Sequence, residues 1–534
     1  MSLPNRHNPY DFTAFLNWRN SVNYYEDDTF AQQVIRHYAG EDWPEVDREA
    51  CDIAGKVSYR WRELTEIIAT PPNRPYMVHY DGHHNRIDRI VRPQQTKILE
   101  QEIFGERLFD QSKSPWVKLV KMFLIYQNGE ACVACPMTCT EGLVMLLDRY
   151  ANTPETLRIL QHCREGIDGE IAIGAQYLSE IQGGSDVQSN VLEAVYEDGV
   201  WRLYGSKFFC SATHADYVVI TAKPAGSEDV ALFVMPSWLS GNKEREIRNG
   251  HTIDRIKWKL GTSELTTGEL TFNGAVAYPI GPLNKGIANV VGIVLTYSRL
   301  TVGLSAAAFM ARATREAGQY ARFRLAFGHP ISHFPLVKNQ LDGINHAAQR
   351  TLAGACKLYR DFLAIESISS NGDDLNLRKK QFRIRELIML QKIVASKDST
   401  DVLRTAMSIF GGHGVMEDFS SLPRLYRDSA INELWEGPRN VLMTQIHRDM
   451  QGACAWYSAE AFVSDALEGA ESTVITHLAQ EWNDIVAHPN LFVINEETLA
   501  ICARLDAFCD HFFHTYQDLA RSEVISPKDM DHSL

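Results

Sequence analysis

Apolar residues recur at helical spacing through residues 30–37 and 49–68, and the Pro71-Pro72-Asn73 punctuation closes this first stretch. From about 76 to 170 most segments keep the helical period, notably 117–126 and 156–163. Near residue 171 the period changes and segments become short and turn-bounded. Residues 191–196 and 200–204, separated by Glu197-Asp198-Gly199, predict a hairpin, because Asp-Gly supplies the positive φ angles of a tight turn. Residues 217–221, 230–235 and 270–272 are further strands. No long helices separate these strands, so a parallel nucleotide-binding sheet is not expected, and a small antiparallel β domain between helical ones is. Long helices return from about 286 to 450, including 307–323 and 334–366, with Asn371-Gly372-Asp373-Asp374 marking a loop between two of them. From about 451 the chain is helical again. The expected fold class is α+β and mostly helical. It divides into an extension (1–75), a helical domain (76–170), a barrel-like β domain (171–285), a helical bundle (286–450) and an additional helical domain (451–534).

At 534 residues the chain is too long for one compact domain. Its formal net charge of −14 repels a phosphate backbone, and past residue 450 only Arg504, Arg521 and Lys528 oppose many carboxylates. No nucleic-acid partner is therefore expected. Ten cysteines in this length read as reduced, mostly buried thiols of a cytoplasmic protein. The polar stretch 1–12 lacks the apolar core of a secretory signal. No stretch approaches the roughly 18 uncharged apolar residues of a membrane span. The most apolar run, 287–295, is soon interrupted by Arg299 and reads as a buried helix, so no membrane partner is expected.

Common signatures fail: there is no Gly-x-Gly-x-x-Gly after a strand, no phosphate loop, no His-Glu-x-x-His and no Gly-x-Ser-x-Gly. Three separated blocks stand out instead. The first is Ser179-Glu180-Ile181-Gln182-Gly183-Gly184-Ser185-Asp186, where small residues and hydroxyls suit close backbone approach to a ligand, although alone it is an ordinary glycine turn. The second runs from Arg322 to Pro335 and holds Arg324, Phe327-Gly328 and Phe334-Pro335; alone it is a helix ending in a glycine. The third is Phe410-Gly411-Gly412-His413-Gly414, then Tyr426-Arg427-Asp428, then Leu434-Trp435-Glu436-Gly437. A structural helix does not require a double glycine, an Arg-Asp pair and a lone carboxylate beside an aromatic.

In this order and spacing the blocks resemble the acyl-CoA dehydrogenase superfamily, from about residue 117 to 450. The stretch Leu422-Pro423-Arg424-Leu425-Tyr426-Arg427-Asp428, together with Gln182-Gly183-Gly184-Ser185-Asp186-Val187 and Cys135-Pro136-Met137-Thr138, resembles its AidB-like branch, named for a DNA-alkylation-response flavoprotein. The amino-terminal extension and the extra carboxy-terminal domain fit that branch too. The resemblance implies an acyl-CoA dehydrogenase-like fold with FAD lying between its domains. Ser179 falls where the family hydrogen-bonds the flavin ring, with Tyr177 beside it. Phe209-Cys210-Ser211 falls on the Trp-x-Thr flavin patch, keeping a hydroxyl in Ser211 and replacing Trp by Phe209. Arg324 falls where a neighbouring subunit's arginine meets the pyrophosphate, and Gly411 and Gly412 fall on the backbone that approaches pyrophosphate and ribose. Ser185 matches a position near the CoA part of the substrate. Phe327 and Asn440 are counted with the cofactor-binding residues. Glu436 falls on the catalytic base of the straight-chain members.

The chemistry explains these residue types. A thioester α-proton is weakly acidic, so a carboxylate must meet it in a water-poor site, where burial makes it a stronger base. The flavin takes the β-hydride while the protein orients it. The resemblance implies that the Glu436 backbone N–H and a flavin ribose hydroxyl stabilise the developing enolate. Some positions depart from the pattern: Glu-Gly-Thr becomes Glu436-Gly437-Pro438-Arg439, and two further family positions read Ser408 and Ala326. Two clusters, Cys132/Cys135/Cys139 and His79/His83/His84 around Asp81-Gly82, read as a packed helix and a solvated turn rather than metal sites. No metal is expected. Three readings stand: a dehydrogenase passing electrons to an electron-transfer flavoprotein, an AidB-like flavoprotein with a nucleic-acid-protective role, and an oxygen-using oxidase or monooxygenase. The acidic tail speaks against the second and Glu436 against a monooxygenase. An acyl-CoA substrate and a homotetramer, a dimer of dimers, are expected.

Overall fold

Four helices form from the first stretch: α1 (Thr13–Ser21), α2 (Thr29–Ala39), α3 (Trp43–Gly55) and α4 (Arg62–Ile68), the last two joined by a π-helical turn at Lys56–Trp61. Asp28 caps α2 by accepting from the Ala31 amide at 3.0 Å, which starts the buried stripe Val34, Ile35, Tyr38 in phase. The structure, a computed structural model, describes residues 11–366 and 374–525. The polar stretch up to residue 10 and the Asn371-Gly372-Asp373 loop lie outside the described residues.

The next stretch departs from the helical expectation. It opens with an antiparallel hairpin of β1 (Tyr76–Tyr80) and β2 (Arg86–Val91). The Asp81 carboxylate closes the turn by accepting from the amides of His83 and Asn85, each at 2.8 Å. Asp88 faces His79 at 2.7 Å and accepts from the Ile253 amide at 3.0 Å, which docks the hairpin on the β domain. His83 and His84 lie in this turn, while His79 is on β1. Helices α5 (Gln94–Phe104), α6 (Pro115–Tyr126), α7 (Ala134–Tyr150) and α8 (Pro154–Arg164) follow. Cys132, Cys135 and Cys139 are buried at the start of α7, and no group of His, Cys, Asp or Glu among the described residues is placed to hold a metal.

Seven strands make the β domain: β3 (Gly174–Tyr177), β4 (Glu193–Glu197), β5 (Val200–Ser211), β6 (Tyr217–Pro224), β7 (Ala231–Pro236), β8 (His251–Ile256) and β9 (Thr267–Pro279). The β4–β5 hairpin turns at Asp198 and Gly199, with φ of 51° and 83°, as expected. Pairings β6–β4–β5–β9–β7–β6 close a barrel, with β3 added to β6 and β8 to β9. The sheet is not wholly antiparallel, however: β3 and β4 both run parallel to β6. The β4–β5 hairpin lies between β3 and β6 in sequence and carries the chain back in place of a crossover helix. That is why no βαβ pattern announced the parallel pairs.

Helix α9 (Gly286–Asn289) and a π-helical turn at Val290–Val294 lead into α10 (Leu295–Phe323). The stretch Leu283–Phe323 is long and apolar enough to cross a membrane by length and composition, which the sequence count passed over. Its most apolar window is 67% buried, so α10 is the central helix of the bundle. A short hairpin of β10 (Leu325–Ala326) and β11 (His329–Pro330) connects it to α11 (Pro335–Glu366). Then come α12 (Leu375–Phe410), N-capped by Asp374, α13 (Leu422–Asn432) and α14 (Arg439–Ala453). The acidic final part folds as α15 (Ala459–Ala466), α16 (Ser472–Ala487) and α17 (Glu496–Val524). Several of its carboxylates face the bundle. Asp506 and Asp510 meet Arg439, and Glu523 meets Lys357, all on the bundle. Tyr38 of α2 reaches the same helix through the Ala520 carbonyl at 2.9 Å.

Candidate active site

Between α13 and α14 the chain turns through two residues in the left-handed region, Glu436 at φ 59° and Gly437 at φ 100°. Gly437 suits this conformation, and a Cβ there would also come within 2.9 Å of Leu442. Glu436 does not, so the surroundings must hold it. Two buried cations do. Arg299, from the start of α10, donates Nε to the Glu436 carbonyl at 3.1 Å. Lys392, from the middle of α12, donates Nζ to the carbonyls of Glu433 at 2.9 Å and Gly437 at 2.7 Å.

The Glu436 carboxylate points the other way, to the β domain. Gln176 on β3 donates Nε2 to its Oε1 at 2.9 Å. Burial pushes the Glu436 carboxyl above the ordinary carboxylate range, while the Arg299 and Lys392 charges and the Gln176 bond hold it down. Burial likewise pulls Lys392 down to about 7, opposed mainly by the Glu436 charge. Behind Arg299, burial raises Glu386 to about 8 against its neighbour Arg385. Gln176 Oε1, on the amide that donates to the carboxylate, is buried with no hydrogen-bond partner, as is the indole Nε1 of Trp435, the residue before Glu436 in the chain.

Ser179 follows Gln176 by three residues, just past the end of β3. Its loop is pinned by the buried pair Lys207–Glu180 at 2.7 Å, and Glu180 also accepts from the Val191 amide at 2.7 Å. A Cβ at Gly184 would lie 3.1 Å from Ser179 Oγ, so the double glycine lets the loop fold onto that hydroxyl. Ser185 is exposed on this loop. Ser211 ends β5 with its hydroxyl 3.1 Å from that of Thr267. Phe209 is 48% exposed beneath Lys257 Nζ, 4.5 Å from the ring centroid. The Tyr177 ring is enclosed in the core, with its hydroxyl 3.5 Å from the Ala212 carbonyl.

Arg324, Phe327, Gly411 and Gly412 lie elsewhere. Arg324 caps the far end of α10, and Gly411, at φ 60°, caps α12 beside it. Tyr320 ties these ends together, stacking on Phe410 at 4.1 Å with its hydroxyl 3.1 Å from His413 Nδ1. Phe327 and Gly328, at φ 53° and 85°, form the hairpin tip, where Phe327 is 95% exposed. Arg299 and Arg324 are about 25 residues apart, or about 37 Å along a helix rising 1.5 Å per residue. One chain therefore places these two groups of residues at opposite ends of α10. Asn440 is exposed in the first turn of α14, close in sequence to Glu436.

The Arg427-Asp428 pair, read from sequence as chemical, is structural. Arg427 pairs with Glu417, while Asp428 accepts from the amides of Thr262 at 2.7 Å and Glu130 at 3.1 Å. It thereby joins α13 to the β domain and to the approach of α7. The residues that sequence reasoning missed are Gln176, Arg299 and Lys392.

A helical bundle and a β barrel meeting at a hydroxyl-bearing glycine loop, with a half-buried, raised carboxyl and an unpartnered amide oxygen beside it, suit an enzyme site. The chain belongs to the acyl-CoA dehydrogenase family. The family's middle-domain model matches residues 175–275, and its C-terminal-domain model matches residues 284–451. The chain is 26% identical over 453 residues to acyl-CoA dehydrogenase family member 11 of Caenorhabditis elegans, covering 80% of this chain and 71% of that protein. It is 26% identical over 461 residues to the putative acyl-CoA dehydrogenase AidB of Escherichia coli (strain K12), covering 83% and 81%. Both matches fit the AidB-like branch. Among solved structures, Bd2924 in its apo form superposes with a TM-score of 0.81 at 24% identity, over 94% of this chain and 98% of that one. Caenorhabditis elegans ACDH-11 in complex with C11-CoA superposes with a TM-score of 0.81 at 22% identity, over 96% and 90%. The family is one of FAD-dependent oxidoreductases. The Ser179 loop pinned through Glu180, the close approach of Gly184 and the unpartnered Gln176 Oε1 fit such a cofactor.

Proposed function

We propose that this protein carries out α,β-dehydrogenation of an acyl-CoA thioester with Glu436 as the base, and passes the electrons to a carrier flavoprotein. The observation that carries this reading is the half-buried Glu436, its carboxyl raised by desolvation, on a left-handed loop clamped by Arg299 and Lys392. A carboxylate partly withdrawn from water and raised in pKa is suited to remove the α-proton. Bound FAD would supply the hydride acceptor, so the α-proton goes to Glu436, the β-hydrogen leaves with its electron pair, and a 2-enoyl thioester remains. Gln176 fixes the carboxylate oxygen that does not take the proton. The C11-CoA complex of ACDH-11 supports an acyl-CoA as the ligand class. In an anaerobic titration of the purified flavoprotein, at least one member of a panel of saturated acyl-CoAs is expected to bleach the flavin absorbance. No bleaching at any chain length, with FAD bound, would sink the reading.

The separation along α10 bears on assembly. Arg324, Gly411 and Gly412 stand too far from Glu436 to serve the same cofactor within one chain, so we read the chain as a homo-oligomer in which a second copy completes each site. Light scattering is expected to give a dimer or tetramer, and an FAD-saturated monomer would count against this arrangement.

A further inference from the structure

The segment carrying Glu436 continues into α14, and that helix starts without help from its own sequence. Pro438 offers no side-chain cap, and the first turn holds no acidic residue. The missing negative charge comes from α17, in the C-terminal addition. Arg439, the first residue of α14, donates Nε to Asp506 Oδ1 at 2.6 Å and Nη2 to the Asp506 carbonyl at 2.8 Å. Its Nη2 also lies 2.8 Å from Asp510 Oδ1. Asp510 in turn faces Lys397 Nζ at 3.3 Å. Lys397 belongs to α12, little more than one turn beyond Lys392, which holds the Gly437 carbonyl. The Arg439 and Asp510 side chains are only 20% and 22% exposed, so water screens that pair less than the one to the half-exposed Asp506. Two supports thus meet on residues 436–440, Lys392 from within the bundle and α17 from outside it.

We propose that Asp506 and Asp510 are positioning residues for the reaction: acting through Arg439, the C-terminal addition fixes the segment that presents Glu436 and Asn440. It also gives Arg439, which follows the departure at Pro438, a role as the attachment point of α17. The inference rests on the reading of Glu436 as the base.

The test is the D506N/D510N holoenzyme, followed by amide hydrogen exchange and by flavin reduction with an acyl-CoA that bleaches the parent. Exchange in a peptide covering residues 436–442 is expected to quicken about 10-fold, with peptides from β5 and α10 unchanged. Flavin reduction at saturating acyl-CoA should slow by about 10- to 100-fold, the range that a misplaced reacting group costs, with the half-saturating concentration unmoved. Asp506→Glu should restore most of the rate. Should the double variant not fold, D506N alone, at a half-exposed side chain, gives the same reading. Unchanged exchange at 436–442 overturns the proposal, and so does a loss of protection throughout the chain, which would make α17 a matter of overall stability. Hydrogen exchange also separates the two assignments. If Glu436→Gln reduces its flavin at the parent rate while D506N/D510N still loosens 436–442, the base assignment falls and the positioning role stands.

Discussion

Replacing Lys392 with Met is expected to slow flavin reduction at neutral pH by about 10- to 100-fold and to destabilise the fold. Met keeps the length and apolar stem of lysine but donates no hydrogen bond. The Glu433 and Gly437 carbonyls would lose their Nζ partner, at roughly 1–3 kcal/mol for each one left unsatisfied. The left-handed turn at Glu436 would then rest on Arg299 alone. The substitution also removes one of the charges that hold the Glu436 carboxyl down, so the acidic limb of the reduction rate should move to higher pH. The stability change has its own pH signature. Burial pulls Lys392 to about 7, whereas in the unfolded chain a lysine titrates near about 10.4. Between those values the folded parent binds fewer protons than the unfolded chain. Its stability therefore rises with pH across that window and is lost as pH falls through about 7. The Met variant has no proton to bind, so the gap between variant and parent should widen from pH 7 towards 10. Denaturant unfolding at pH 6, 7.5 and 9 would show it, and parallel stability profiles would refute the clamp.

The helices were legible because their pattern is long. α10, α11 and α12 each hold many turns of one period, and tertiary context did not override it. The β1–β2 hairpin was missed although its signal was present: Asp81-Gly82 stands between two short runs of mixed polarity, and both strands are only partly buried. Partial burial blurs the alternation that marks a strand. The parallel pairing of β3 with β6 was not legible at all. A four-residue strand has too little pattern to fix its partner, and the register depends on a hairpin folded between the two.

The site was legible where local sequence carries it and obscure where the third dimension does. The glycine block near Ser179 and the Trp435-Glu436-Gly437 setting declare themselves as unusual strings. Gln176 does not, because its role arises only when β3 meets the bundle. Arg299 was seen, but as the residue that interrupts an apolar run, when it is the group that holds the Glu436 carbonyl. Lys392 was legible in principle, since it is the only charged residue in the apolar stretch 388–395, and a buried ammonium needs a reason. Arg427-Asp428 shows the opposite error. An Arg-Asp pair adjacent in sequence reads as chemistry, yet on a helix neighbouring residues point apart, and each found a different structural partner.

Glu436→Gln should have the largest effect of all. The substitution keeps the size of the side chain, and the Gln176 amide can still donate to the new carbonyl oxygen. It leaves the main-chain bonds from Arg299 and Lys392 in place, so the left-handed turn and the FAD content should survive. What disappears is the proton acceptor. Losing a positioned general base costs about 10²–10⁴-fold, and a carbon acid as weak as a thioester belongs at the upper end. The loss should fall on the rate of flavin reduction rather than on acyl-CoA binding. The pH dependence gives an independent check. Burial raises the Glu436 carboxyl, so in the parent the rate should climb with pH through a limb lying above the ordinary carboxylate range of about 4.3, then level off once the base is ionised. In the Gln variant that limb should vanish, because nothing at this position titrates. A variant that reduces its flavin as fast as the parent, or that keeps the same limb, would show that another group takes the proton. The raised carboxyl of Glu386, which stands behind Arg299, would then be the first to replace.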